Sequence, residues 1–231
     1  MSELTRSMIR IGGEDAVHFL QGILTQDVTK LADEKIQFAA LLSPQGKILH
    51  DMFLIADGAD ILIDTPALHK DTLLKRLAMY KLRAKVTIAP IDMPVGYSWK
   101  DGLADPRHPQ LPKRMYGHSG EVSEAEYRAM CLKLGIPDSA IDFTPDTLVA
   151  MDAGYDLLHG INFSKGCYVG QEVIARMHYK HIARKAFYVI DGEPKLALLR
   201  FDDAAKHPNA HLPEWLTGKL TQHKANTEQD A

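Results

Sequence analysis

Cysteine is scarce in this sequence: Cys131 and Cys167 are the only two in 231 residues. They stand far apart and no Cys-x-x-Cys pair occurs. That argues against a disulfide framework and against a structural zinc site, so no bound metal is expected. A reducing cytoplasm is the expected compartment. No run approaches the roughly eighteen uninterrupted apolar residues of a membrane-spanning helix, and no membrane partner is expected. The opening MSELTRSMIRIGGEDAVHFL has neither an apolar signal region nor an Arg- and Ser-rich, acid-poor transit pattern. Bulk positive charge is missing too. A net charge of -3 excludes a protein that coats nucleic acid by overall charge, though not one with a local basic patch.

What is present is ordinary for a globular chain: 45% apolar and 25% charged residues, enough to build one large core or two small ones. Residues 7–11 read as a strand. Glu14–Leu24 places apolar residues at helical spacing. Residues 36–42 and 47–55 read as strands around the turn Ser43-Pro44-Gln45-Gly46, which predicts a hairpin. Asp60–Ile63 is a further strand. The spacing predicts a helix over 65–80, with Leu68, Leu73, Leu74 and Leu77 facing a core, and a strand over 82–88. Residues 90–120 are rich in Pro and Gly, as a crossing segment or an irregular strand pair would be. Residues 122–134 read as a helix ending at Gly135. Strands are expected at 186–190 and 196–201, then a polar tail frayed at its end. Mixed strands and helices with hairpin pairing indicate α+β.

The run Lys165-Gly166-Cys167-Tyr168-Val169-Gly170-Gln171-Glu172 carries the clearest chemistry. Its glycines allow a tight turn and close backbone approach. A cation near a thiol favours thiolate, and Lys165 stands two residues before Cys167. Gln171 and Glu172 would open a helix. The alternative is a small buried hydrophobe in a turn, because free cysteine often only packs.

This run resembles the signature of the YgfZ-type proteins, a branch of the glycine-cleavage T-protein superfamily. Other segments match that branch in the same order. They are Gly13-Glu14-Asp15-Ala16 with Phe19-Leu20-Gln21-Gly22 and Thr25-Gln26-Asp27, then Leu42-Ser43-Pro44-Gln45-Gly46-Lys47, Tyr80-Lys81-Leu82-Arg83-Ala84-Lys85-Val86 and Asp105-Pro106-Arg107. The resemblance runs from about residue 7 to about residue 201. It implies a T-protein-like, α+β folate-binding body around a central opening over 1–185. A shortened C-terminal β region and polar tail would follow over 186–231. It also implies tetrahydrofolate as cofactor and iron–sulfur enzymes as clients, some of them tRNA-modifying, with Cys167 as the functional thiol.

The departures from that pattern narrow the reading. Where T-proteins carry Gly-Gly-x-x-Asp-Asp, this chain has Gly46-Lys47-Ile48-Leu49-His50-Asp51. An imidazole stabilises a cationic one-carbon centre poorly, which argues against aminomethyl transfer. His50 could equally be a strand residue facing solvent or a cleft. Met151-Asp152-Ala153-Gly154 matches the segment whose carboxylate holds the pterin, one methylene shorter. A carboxylate there can accept paired N–H bonds, or it can cap a turn. The resemblance groups Asp152, Asp51, His50, Arg107, Lys165 and Gln171 as folate contacts. The short link Asp191–Lys195 implies missing strands, hence a reduced C-terminal barrel with an exposed edge. Basic clusters at 70–85 and 165–185 are solvated faces or docking sites for a polyanion such as polyglutamylated folate or tRNA. Two other functions compete with the accessory role: a folate-dependent aminomethyltransferase and a tRNA-binding module.

Overall fold

The computed structural model describes residues 6–221. Five strands form one antiparallel sheet: β1 (Arg6–Gly12), β2 (Ile36–Leu42), β3 (Ile48–Asp57), β4 (Asp60–Pro66) and β5 (Thr87–Ile91). Their spatial order is β2-β3-β4-β1-β5. The expected hairpin is there, with Ile36 opposite Ile55 and Leu42 opposite Ile48. Both faces of this sheet are covered, which is why β2 is apolar along its whole length apart from Gln37. On one face lie α1 (Ala16–Ile23), the short α2 (Leu31–Glu34) and α3 (Lys70–Lys81). There Phe19, Leu20, Leu73 and Leu77 cluster with Ile9, Leu41, Met52 and Leu54. On the other face Phe38, Ala40, Phe53 and Leu62 cluster with Tyr97, Tyr127, Tyr155 and Tyr168.

Two expectations along this stretch are corrected. The helix expected over 65–80 starts only at Lys70, because Thr65 and Pro66 still pair with Ser7 and Arg6 on β1. Pairing with a distant strand overrides local helical spacing. Leu68 is therefore 76% exposed rather than in the core. The strand expected from 82 begins at Thr87. The chain first turns, and the Lys85 N–H donates to Asp15 Oδ2 at 2.7 Å. Gly13 has φ +107°, and a Cβ there would lie 2.2 Å from Lys85 O. Two of the matched motifs meet at that point.

The Pro-rich segment resolves as a strand pair, β6 (Val95–Ser98) with β7 (Lys113–Tyr116). Helix α4 (Glu124–Leu134) begins with a capping box between Ser123 and Glu126 and ends at Gly135, where its sequence signals place it. Helix α5 (Gln171–Lys180) follows the cysteine run. The C-terminal strands are β8 (Lys185–Ile190), β9 (Ala197–Arg200) and β10 (Ala210–His211), in the order β10-β8-β9. The expected reduced barrel is corrected: among the described residues these strands make an open sheet. Three strands, one of only two residues, are too few to close on themselves. The polar tail is corrected in part, since Leu216 is buried and Lys219 Nζ donates to Met151 O at 2.7 Å. The end of that tail lies outside the described residues. No helix among them is long and apolar enough to cross a membrane.

Candidate functional site

Arg107, one of the expected folate contacts, lies in the centre of the molecule within a dense polar network. Its Nε and Nη2 donate to Asp105 at 3.0 and 3.1 Å. Arg114, 1% exposed, donates to Asp64 at 2.6 Å, and Arg6 donates to the other oxygen of Asp64 at 2.6 Å. Tyr127 donates to Asp105 at 2.6 Å and accepts from Arg114 at 2.6 Å and from Arg107. Burial pushes the Asp105 carboxyl up, but the guanidinium groups of Arg107 and Arg114 outweigh it and hold it at about 2. The space left among these groups is about 10 Å³, room for about one water. A pterin ring does not fit there. Asp64 lies just past the strand expected over Asp60–Ile63 and was not singled out. No local signal marked Arg114 or Tyr127.

His50 and Asp51 are neighbours on β3, so the two side chains leave opposite faces of the sheet. Asp51 faces the centre, accepting from Tyr155 at 2.6 Å and from Ser139. His50 faces α3, 3% exposed, with its ring 6.0 Å from that of His69. The reading of His50 as facing solvent or a cleft is corrected. Burial, then the charges of His69 and Arg76, push its ring down to about 4, and its Nδ1 has no partner.

The cysteine run is a loop fixed at several points around one exposed group. Lys165 is buried, and its ammonium donates to the carbonyls of Gln21, Leu24 and Gln26 at 2.7, 2.6 and 2.9 Å. These carbonyls lie at the end of α1, where a cation is favoured. Burial brings that ammonium down to about 8. All three of its N–H bonds are taken, so the cation expected to act on the thiol is committed to α1. Tyr168 is buried under the loop. Gly170 has φ +84°, and a Cβ there would lie 2.5 Å from Ser43 O. The hairpin turn and the cysteine run, two motifs about 120 residues apart in sequence, thus touch. Beyond the loop, the rings of Phe163 and His178 stack at 3.8 Å. Gln171 opens α5, its N–H donating to Tyr168 O at 3.3 Å. Cys167 itself is exposed, which removes the reading of it as a buried packing residue. Cys131 is the buried thiol, pushed up to about 11 by desolvation.

Asp152 is half-buried and accepts the Arg184 N–H at 3.4 Å, at the entry to β8. Burial raises its pKa, against the pull of the Arg184 and Lys185 backbone N–H groups. A separate opening of about 460 Å³ is lined by Gln26, Gln37, Phe38, Pro106, His159 and Asn162, among others. That size suits a small organic ligand. Phe38 also borders the filled centre, so Arg107 and Asp51 lie behind it. Gln37 is 2% exposed. Its Nε2 donates to Asp27 O and Glu34 Oε2, both at 2.8 Å, which fixes the amide orientation and leaves Oε1 without a partner. Cys167, His50, Asp152, Lys165 and Gln171 do not line this opening. The structure therefore does not bring the expected site residues together around one space.

No family model matches the chain. It is 27% identical over 251 residues to an iron-sulfur cluster assembly factor IBA57 homolog, mitochondrial, from Mycosarcoma maydis, covering 90% of this chain and 62% of the relative. It is 26% identical over 238 residues to the mouse (Mus musculus) iron-sulfur cluster assembly factor IBA57, mitochondrial, covering 83% and 65%. The chain thus spans just under two thirds of these relatives. Among solved structures, the glycine cleavage system aminomethyltransferase T from Bartonella henselae matches with a TM-score of 0.63 at 15% identity. That match covers 80% of this chain and 64% of the transferase. The fold is thus a mixed α+β fold similar to the aminomethyltransferase T-protein. The expected cytoplasmic location is corrected, because these relatives are named as mitochondrial proteins. Absence of disulfides does not tell one reducing compartment from another.

Proposed function

We propose that this chain serves the maturation of iron–sulfur proteins, with the Cys167 thiol as its working group. The observation that carries this reading is the loop itself: one exposed thiol on a run held by Lys165, Tyr168 and Gly170. The names of the similar proteins, iron-sulfur cluster assembly factors, support the same role. A single thiolate supplies one ligand to a cluster, and clusters are held by several. No three His, Cys, Asp or Glu residues converge among the described residues. The remaining ligands would come from a client iron–sulfur protein. Enzymes that modify tRNA are among the clients this reading includes.

A tetrahydrofolate-type ligand belongs, in this reading, at the opening beside Gln37 rather than in the filled centre. Gln37 Oε1 is an unpaired buried acceptor, and the amino-pyrimidine edge of a pterin offers N–H donors to it. Such a cofactor would supply a one-carbon carrier; the chain's own part is to bind and orient it. The boundary near residue 185 also stays a proposal: limited proteolysis is expected to cut around Asp191–Lys195 before it cuts the main sheet.

Complementation tests the central claim. In cells lacking the native protein, Cys167→Ala is expected to accumulate normally yet leave iron–sulfur enzyme activity unrestored. Full rescue would remove the thiol from the function. A fluorescence titration with tetrahydrofolate tests the cofactor: saturable binding is expected, lost in Gln37→Leu. No binding by the unaltered protein would remove folate and leave the thiol reading standing.

A further inference from the structure

Three large apolar side chains near α3 are held out in solvent: Leu68 is 76% exposed, Met79 73% and Leu82 88%. Residues 72, 75 and 79 form one stripe on α3 by their spacing, while Leu68 lies in the turn just before the helix and Leu82 at its C-cap. Thr72 and Lys75 on that stripe are exposed as well. None of these residues is needed for the core, which α3 reaches through Leu73 and Leu77.

Leu82 is also the C-cap of α3, with φ +43° and ψ -109°. A leucine there carries backbone strain that a glycine would not. Leu82 thus combines high exposure with backbone strain at one position.

Charge is concentrated on the same segment. Residues 70–85 hold six cations, Lys70, Lys75, Arg76, Lys81, Arg83 and Lys85, against the single acid Asp71, in a chain whose net charge is -3. Lys85 is paired with Glu14 at 2.5 Å; Lys75 and Arg83 are exposed. Protruding apolar side chains flanked by lysine and arginine suit an anionic lipid surface. Such a surface takes up apolar side chains at its acyl boundary while attracting the cations. A protein partner would need a shaped acidic groove for the same protruding side chains.

We infer that α3 and the residues flanking its two ends dock on an anionic bilayer surface, through Leu68, Met79 and Leu82 with Lys75 and Arg83 beside them. The contact is peripheral and reversible, and it is independent of the thiol chemistry proposed above.

Vesicle co-sedimentation of the full chain is the test. Vesicles of phosphatidylcholine with about a third phosphatidylserine are expected to carry the protein down, more weakly at high salt. Pure phosphatidylcholine vesicles are expected to leave it in solution. Met79→Glu with Leu82→Glu is expected to weaken binding at least about tenfold, since each apolar side chain taken from water matters on that scale. Trp99→Glu, at another exposed apolar position, is the control and keeps wild-type binding. Leu82→Gly separates docking from folding: vesicle binding falls while the thermal midpoint holds or rises, because strain is relieved. No binding to the anionic vesicles, equal binding to both vesicle types, or wild-type binding by the double glutamate variant would each overturn the proposal.

Discussion

In the centre, Arg114 and Asp64 are all but completely buried, and the guanidinium groups and carboxylates there pair with one another. At the cysteine rim the pairing ends one step short: Lys165 is spent on three carbonyls, Tyr168 is buried, and Cys167 stands exposed. Both regions use buried polar chemistry. The centre uses it to close a space, and the rim uses it to hold one thiol out in solvent. On the proposed function, the first region serves stability and the second chemistry.

The strongest way to break that contrast is to open the centre. Arg114→Met leaves Asp64 with Arg6 as its one cation beside the Tyr116 hydroxyl, and strips a donor from Tyr127. A loss of about 3–5 kcal/mol is expected in urea unfolding at neutral pH. A loss below about 1 kcal/mol would mean the network is dispensable.

The reverse face of β3 sharpens the comparison, because His50 is a buried polar group that the fold leaves unpartnered. Its folded pKa of about 4 lies below the ordinary 6.5, so the unfolded chain binds the proton first as pH falls. The neutral ring is therefore compatible with folding above about 6.5, and stability is lost between about 6.5 and 4. The expected loss is about 2–3 kcal/mol across that window. His50→Leu should flatten that part of the stability profile. An unchanged slope would clear His50.

Gly170→Ala probes the rim's scaffold. The new methyl meets Ser43 O and forces φ +84° on an alanine, for an expected loss of about 1–3 kcal/mol. A stability equal to wild type would show that the run can shift off the hairpin turn. The smallest effect is expected at the thiol. Cys167→Ser should leave thermal stability within about 0.5 kcal/mol of wild type. A larger loss would turn Cys167 into a packing residue and erase the contrast between centre and rim.

Much of the fold was legible because its signals are local. The Pro-Gly turn after β2, the spacing in α1 and Gly135 at the end of α4 each act within a few residues. The start of α3 was not legible, because Thr65 and Pro66 answer to β1 rather than to their neighbours. At the site, the exposed loop around Cys167 could be found from its own residues. His50 and Asp51 were grouped together as folate contacts, and the alternation of β3 puts them on opposite faces. The opening beside Gln37 had no signal at all, since its walls come from segments around residues 26, 37, 106 and 160.

The sequence by itself determined the hairpin, the end of α4 at Gly135 and a glycine-flanked turn with one thiol, because turn and cap chemistry depends on adjacent residues. Only the tertiary structure decided what surrounds that thiol. Lys165 could have faced Cys167 or the end of α1, and the unsatisfied carbonyls there claimed it, because a buried ammonium is stable only when its N–H bonds are met. The filled centre was decided in the same way. Asp105 and Arg107 pair within one loop, but Arg6, Asp64, Arg114 and Tyr127 come from separate strands and a helix and meet them and one another only when the chain has closed.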